Sequence, residues 1–132
     1  MSYFFDILQN TNNRKLISNF KKEIKLKELK TLIEKARKKD VNAMEELFNK
    51  YKPLLKKSSK RYDCYGMEYD DVFQQASIIF IIAVYDFEEN MNIPFSGYIK
   101  KRITWDLYHY YRRHMKRKLE VPSGLNPSLK YH

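Results

Sequence analysis

Apolar positions recur along the chain in four stretches separated by polar, turn-forming breaks. Leu26, Leu29, Leu32, Ile33 and Ala36 fall three and four residues apart, which predicts a helix from about Lys22 to Lys39 with one face buried. A second helix is predicted from Asp40–Asn42 to about Tyr62, with Ala43, Leu47, Phe48, Tyr51, Leu54 and Leu55 along its stripe. Asn42 with Glu45 has capping-box form, and Asp40 is an equally good N-cap. Pro53 lies inside this pattern, removes one backbone donor and predicts a kink. The segment Cys64–Tyr69 contains Gly66 and reads as a loop.

The third stretch runs from Tyr69 through the apolar Ala76–Tyr85. Its β-branched run is compatible with a buried strand, but the chain offers no second strand to pair with it. Asp70 and Asp71 at its start suit a helix N-terminus, where a carboxylate meets the positive end of the macrodipole. A helix apolar on all sides is expected at the centre, buried by its neighbours. Asp86–Pro94 is a polar loop, and a fourth helix is predicted from Phe95 or Ser96 to Lys118.

These elements predict an all-α fold, a compact bundle of about four helices spanning residues 23–118. An N-terminal arm (residues 1–22) carries Tyr3, Phe4, Phe5, Ile7 and Leu8 before a break at Thr11-Asn12-Asn13. A turn-rich tail (residues 119–132) is expected to be flexible. Three glycines and four prolines in 132 residues favour a few long helices over many short strands.

Charge narrows the range of partners. The chain carries 26 Lys and Arg against 16 Asp and Glu, a formal +10, which favours a polyanionic partner or reflects a lysine-rich soluble protein. The placement of the charge separates these two readings. Residues 95–118 hold eight Lys/Arg, one acid (Asp106) and six aromatics. On a helix, Tyr98, Lys101, Arg102, Trp105, Tyr108, His109 and Arg112 share a face, with Ile99, Ile103 and Leu107 opposite. Cations neutralise phosphates and rings stack on unpaired bases, so this face is a candidate for single-stranded nucleic acid. Its narrow apolar stripe suits packing on protein better than lying on a membrane.

Other chemistries find no support. Cys64 is the single cysteine, so no internal disulfide forms and a cysteine metal site is not expected. His109 and His114 lack the four-residue spacing of a metal pair, and adjacent Asp70 and Asp71 diverge by about 100° on a helix. No Gly-rich phosphate loop or nucleophile motif is present, so neither an enzyme nor a cofactor is expected. The N-terminus lacks the basic region of a signal peptide, and the longest apolar run is about half of a membrane span, so a cytoplasmic protein is expected.

The stretch Leu32–Arg113 resembles region 2 of the bacterial sigma-70 family. Leu32–Asp40 and Ala43–Tyr51 resemble its opening helix pair. Asp71-Val72-Phe73-Gln74-Gln75, Ala83-Val84-Tyr85-Asp86-Phe87 and Phe95-Ser96-Gly97-Tyr98 resemble three further motifs in family order. The resemblance implies a transcription-initiation protein with two surfaces. Asp71, Gln74, Gln75, Ser77 and Ile81 would dock on the largest-subunit coiled coil of core RNA polymerase. Phe95, Tyr98, Lys101, Arg102, Trp105, Tyr108, His109, Arg112 and Arg113 would bind the non-template strand of the minus-ten promoter element, with Tyr98 stacking on a flipped-out adenine.

The chain departs from the family at Gln75, where a glutamate is usual, and at Lys101 and Arg102, where principal members carry tryptophans. The latter pair is as in alternative and extracytoplasmic-type members. No region-4 helix-turn-helix follows Glu120-Val121-Pro122-Ser123. A truncated form, a separate protein supplying region 4, or a short regulator from a mobile element each accounts for this. An anti-sigma factor is a further implied partner. Two other readings stand beside the initiation factor: a stand-alone DNA-binding regulator, and a polymerase- or sigma-binding module that leaves DNA alone.

Overall fold

The computed structural model describes residues 11–120 and is all-helical across them, with four α-helices and no strand among the described residues. They are α1 (Thr11–Arg37), α2 (Val41–Lys60), α3 (Tyr69–Asp86) and α4 (Phe95–Glu120). Short 3-10 turns at Asp63–Tyr65 and Glu89–Met91 lie in the two longer connections. The apolar Tyr3–Leu8 of the expected arm and the tail from Val121 fall outside the described residues.

One expectation is corrected at the start of α1. The helix begins at Thr11 rather than near Lys22, so Thr11-Asn12-Asn13 opens it instead of breaking it. The apolar pattern is weak there: Leu16, Phe20 and Leu26 are exposed, and burial is reached only at Ile33 and Ala36. Periodicity reports burial, so a solvated helical segment leaves little trace in it. The chain divides into two units, up to Leu47 and from Phe48 onward, and the boundary falls within the continuous α2.

The turn between α1 and α2 is closed by backbone bonds. Lys39 N–H donates to the Ala36 carbonyl and Asp40 N–H to the Lys35 carbonyl, both at 3.1 Å, a Schellman arrangement that satisfies the last carbonyls of α1. It places Lys39 at φ 69°, the left-handed position where glycine is usual. Asp40 then caps α2, its Oδ1 accepting from the N–H groups of Asn42 (3.0 Å) and Ala43 (3.2 Å). Asp40 therefore caps the helix, and Asn42 does not. Helix α2 runs unbroken through Pro53.

From Phe48 onward, the core is a chain of rings plus aliphatic side chains. Phe48 meets Phe80 at 5.9 Å, Phe80 meets Tyr51 at 5.7 Å, Tyr51 meets Phe95 at 5.5 Å, and Phe95 meets Phe87 at 5.0 Å. These rings tie α2, α3 and α4 together at the separations aromatic pairs prefer. Leu55, Val72, Ala76, Val84, Ile99, Ile103 and Leu107 complete it, and α3 packs directly on α4. The Tyr51 hydroxyl is 2.8 Å from Ser96 Oγ at the start of α4, and the buried Ser59 hydroxyl donates to the Leu55 carbonyl at 2.7 Å.

Helix α3 is not buried all round. Val72, Ala76, Ile79, Phe80, Ala83 and Val84 are inside, but Ile78, Ile81, Ile82 and Tyr85 are exposed. The expectation of a fully enclosed central helix is corrected: α3 lies at the surface and carries a second, solvent-facing apolar stripe. Composition alone does not separate a two-sided apolar helix from an enclosed one.

Candidate nucleic-acid interface

Helix α4 positions most of the expected nucleic-acid residues. It opens after Pro94, whose carbonyl accepts from Tyr98 N–H at 3.0 Å. Ile99, Ile103 and Leu107 are buried at its core side as expected. Lys101, Trp105, Tyr108, Arg112 and Arg113 are exposed, and His109 is half-buried. Trp105 retains 63% of its surface and Tyr108 46%, high values for large rings. His109 lies edge-on to both, at 4.7 Å and 5.9 Å.

Two expected contact residues lie on the wrong side of this surface. Phe95 is buried, and Tyr98 keeps only 6% of its surface. The Tyr98 ring packs on Phe87 at 5.2 Å and on Phe95 at 6.5 Å. Its hydroxyl accepts from Arg102 Nη1 at 2.9 Å, and the Arg102 guanidinium sits 5.8 Å from the ring centroid. The expectation that Tyr98 presents an open face to a base is therefore corrected. Helical spacing alone puts Tyr98 on the outer side, but Phe87 and Phe95 cover it at the start of the helix.

Arg102 is likewise engaged within the protein. Its Nη1 reaches Asp86 Oδ2 at 3.2 Å, and its Nε reaches Asp106 Oδ2 at 3.1 Å. Burial works against its charge, but the bonds to Asp106 and Asp86 outweigh this and hold its pKa above the ordinary value. Burial also raises the Tyr98 phenol, with Arg102 pulling the other way and Asp86 and Asp106 adding to the rise. Two carboxylates already neutralise Arg102, so the free positive charge near the start of α4 falls to Lys100 and Lys101. An open hollow of about 600 Å³ lies against Tyr98, Lys101, Thr104 and Trp105.

The residues expected to face RNA polymerase lie on α3. Asp71, Gln74 and Ile81 are exposed, and Gln75 and Ser77 are half-buried. Ser77 Oγ donates to the Phe73 carbonyl at 2.8 Å, so its hydroxyl proton is already used. Sequence reasoning missed Ile78, Ile82 and Tyr85, which share this face at three- and four-residue spacing. Together they form an apolar surface, edged by Asp71 and Gln74, of the kind that marks a protein contact.

A second group was also missed. Tyr62, Tyr65 and Tyr111 contact one another at 6.2, 5.4 and 5.1 Å, joining the turn after α2 to the later half of α4. Burial raises the Tyr62 phenol; Arg61 opposes the rise, and Tyr65, Tyr108 and Tyr111 add to it. The available signal was the alternation of cation and ring in Arg61-Tyr62 and Tyr110-Tyr111-Arg112.

Residues 30–88 match a family model described as a helix-turn-helix domain, a DNA-binding fold. No curated protein and no solved structure matches the chain. The match spans the end of α1, all of α2 and all of α3. The connection at Lys38–Asp40 has the three-residue length of a helix-turn-helix turn, whereas the path from Lys60 to Tyr69 is longer. Helix α3 carries Asp70, Asp71 and Asp86 with no lysine or arginine, a poor charge for lying between two phosphate backbones. Helix α4, where cations stand together with exposed rings, lies outside the match. Among the described residues, no group of side chains could hold a metal ion, and no helix is long and apolar enough to cross a membrane.

Proposed function

We propose that this is a DNA-binding transcription factor of the sigma region-2 type, which holds DNA on the outer face of α4 and core RNA polymerase on the outer face of α3. One observation carries the reading: two adjacent packed helices expose opposite chemistries. Helix α4 presents Lys101, Trp105, Tyr108, Arg112 and Arg113, and α3 presents Ile78, Ile81, Ile82 and Tyr85 with Asp71 and Gln74. The first suits a polyanion with bases, and the second suits an apolar protein surface. The helix-turn-helix match supports a DNA partner in general.

Base capture by Tyr98 is not part of this proposal, because its ring is enclosed. Trp105 and Tyr108 take over as the rings available to DNA, beside the hollow at Lys101 and Thr104. The setting is the cytoplasm, where polymerase and promoter meet.

The test is a pulldown with core polymerase and a DNA-binding titration on the same variants. Ile82→Glu places a charge in the exposed apolar face without touching the core, so polymerase retention should fall at least tenfold while DNA affinity stays unchanged. The double variant Arg112→Gln, Arg113→Gln should weaken DNA binding and flatten its salt dependence, leaving polymerase retention intact. Unchanged retention by Ile82→Glu refutes the docking face. The stand-alone regulator is favoured by the helix-turn-helix match; it would bind DNA fully without retaining polymerase.

A further inference from the structure

The tyrosine cluster at the far end of α4 belongs to neither surface described so far. Tyr62 and Tyr65 come from the turn after α2, and Tyr111 comes from α4. Tyr65 retains 53% of its surface despite its two ring neighbours. A ring that only pinned the turn to the helix would be covered, as Tyr98 is. Gly66 closes the turn at φ 77°, and a Cβ built there would lie 3.9 Å from Lys118 Nζ, so that ammonium sits beside the turn. Arg61 is exposed and adjoins Tyr62 in the chain, near enough that its charge opposes the rise of the Tyr62 phenol.

The cluster also continues the α4 face. Trp105, Tyr108 and Tyr111 are three residues apart, with Lys101 and Arg112 on the same arc of the helix. Trp105 and Tyr111 are separated by about 9 Å along the axis at 1.5 Å per residue. That is room for roughly two to three bases at the 3.4 Å spacing of a stacked strand. Duplex DNA shows a protein base edges and phosphates, but no free base faces. Unpaired bases do show faces, and successive exposed rings between cations are the recurring answer to them.

We propose that Tyr65, held by Tyr62 and Tyr111 and flanked by Arg61 and Lys118, is a second stacking site for unpaired bases, extending the α4 face onto the turn after α2. The occupant is single-stranded nucleic acid, chosen by charge complementarity and by the need for exposed base faces. This site rests on the reading of α4 as the DNA-binding helix and adds a contact from a different segment of the chain.

The test is fluorescence anisotropy with a labelled oligothymidylate of roughly 16 nucleotides and a duplex of the same length, at several salt concentrations. Tyr65→Leu should weaken single-strand binding roughly tenfold, with duplex binding and the salt slope unchanged. Tyr65→Phe should keep wild-type affinity, because the face stacks and not the hydroxyl. Arg61→Gln should lower the single-strand salt slope by about 0.7, one phosphate contact. Thermal melts of each variant confirm the fold, which the exposure of Tyr65 and Arg61 leaves intact. Wild-type binding that Tyr65→Leu does not change overturns this site alone, as does equal loss on both probes or a Phe variant as weak as Leu. A Tyr65→Leu variant that loses core polymerase and keeps oligothymidylate also overturns it, making the cluster a protein contact. If the wild type binds neither probe, the DNA-binding reading of α4 falls with it.

Discussion

Replacing Tyr98 separates a core ring from a base-stacking ring. In the structure it lies between Phe87 and Phe95 with 6% of its surface left. A ring of this size buries on the order of 150–200 Å², and at about 25 cal/mol per Å² its removal costs ~4 kcal/mol. Large-to-small substitutions of buried aromatics measure about 3–5 kcal/mol, in agreement. For a domain with a total stability of about 5–15 kcal/mol, that loss leaves Tyr98→Ala folded but with roughly 1–11 kcal/mol of stability. Tyr98→Phe keeps the ring and its cation contact and loses only the hydroxyl that accepts from Arg102, which still holds Asp86 and Asp106. That loss is about 0.5–1.5 kcal/mol. Urea unfolding followed by circular dichroism gives both values, and anisotropy with single-stranded DNA gives the affinities. Tyr98→Phe should bind DNA as the wild type does. A Tyr98→Ala protein within about 1 kcal/mol of wild-type stability that has lost DNA affinity tenfold would falsify the core assignment and restore the ring to the DNA face.

Two further predictions concern the turn between α1 and α2 and three buried or half-buried phenols. Lys39→Gly relieves a left-handed conformation that a side chain resists, and should stabilise the protein by about 1 kcal/mol, raising Tm by a few degrees; a lower Tm refutes the strain at this turn. Tyr51, Tyr62 and Tyr98 all have raised pKa values, chiefly through burial. The native state therefore keeps these protons where the unfolded chain releases them. Their contribution to stability is complete below the ordinary phenol value of about 10 and is lost as pH rises through the raised native values. Tm should fall steeply above about pH 10, less steeply in Tyr51→Phe, and identical curves for the two proteins would refute the role of Tyr51.

Much of the helical layout is legible before any coordinates. The stripe of α2 and the core side of α4 at Ile99, Ile103 and Leu107 follow from three- and four-residue spacing, because an amphipathic helix must write its buried face into the sequence. The loop at Asp86–Pro94 follows from its turn residues for the same local reason. The early half of α1 escapes this reading, since its exposed Leu16 and Phe20 follow no burial pattern to detect.

Sequence by itself determined the helices from about Lys22 onward and that cations and rings occur together in residues 95–118, since both are properties of neighbours along the chain. Only the tertiary structure decided which rings are open. Phe87, arriving from the end of α3, covers Tyr98, and the Asp86 carboxylate takes up half-buried Arg102, so one residue of the α4 face became interior and another became paired within the protein. Conversely, packing leaves Ile78, Ile81, Ile82 and Tyr85 of an apolar helix in water and gathers Tyr62 and Tyr65 against Tyr111. Helical periodicity orders side chains around one axis, but exposure depends on which segments come to lie over that axis, and this is settled by contacts between residues far apart in the chain.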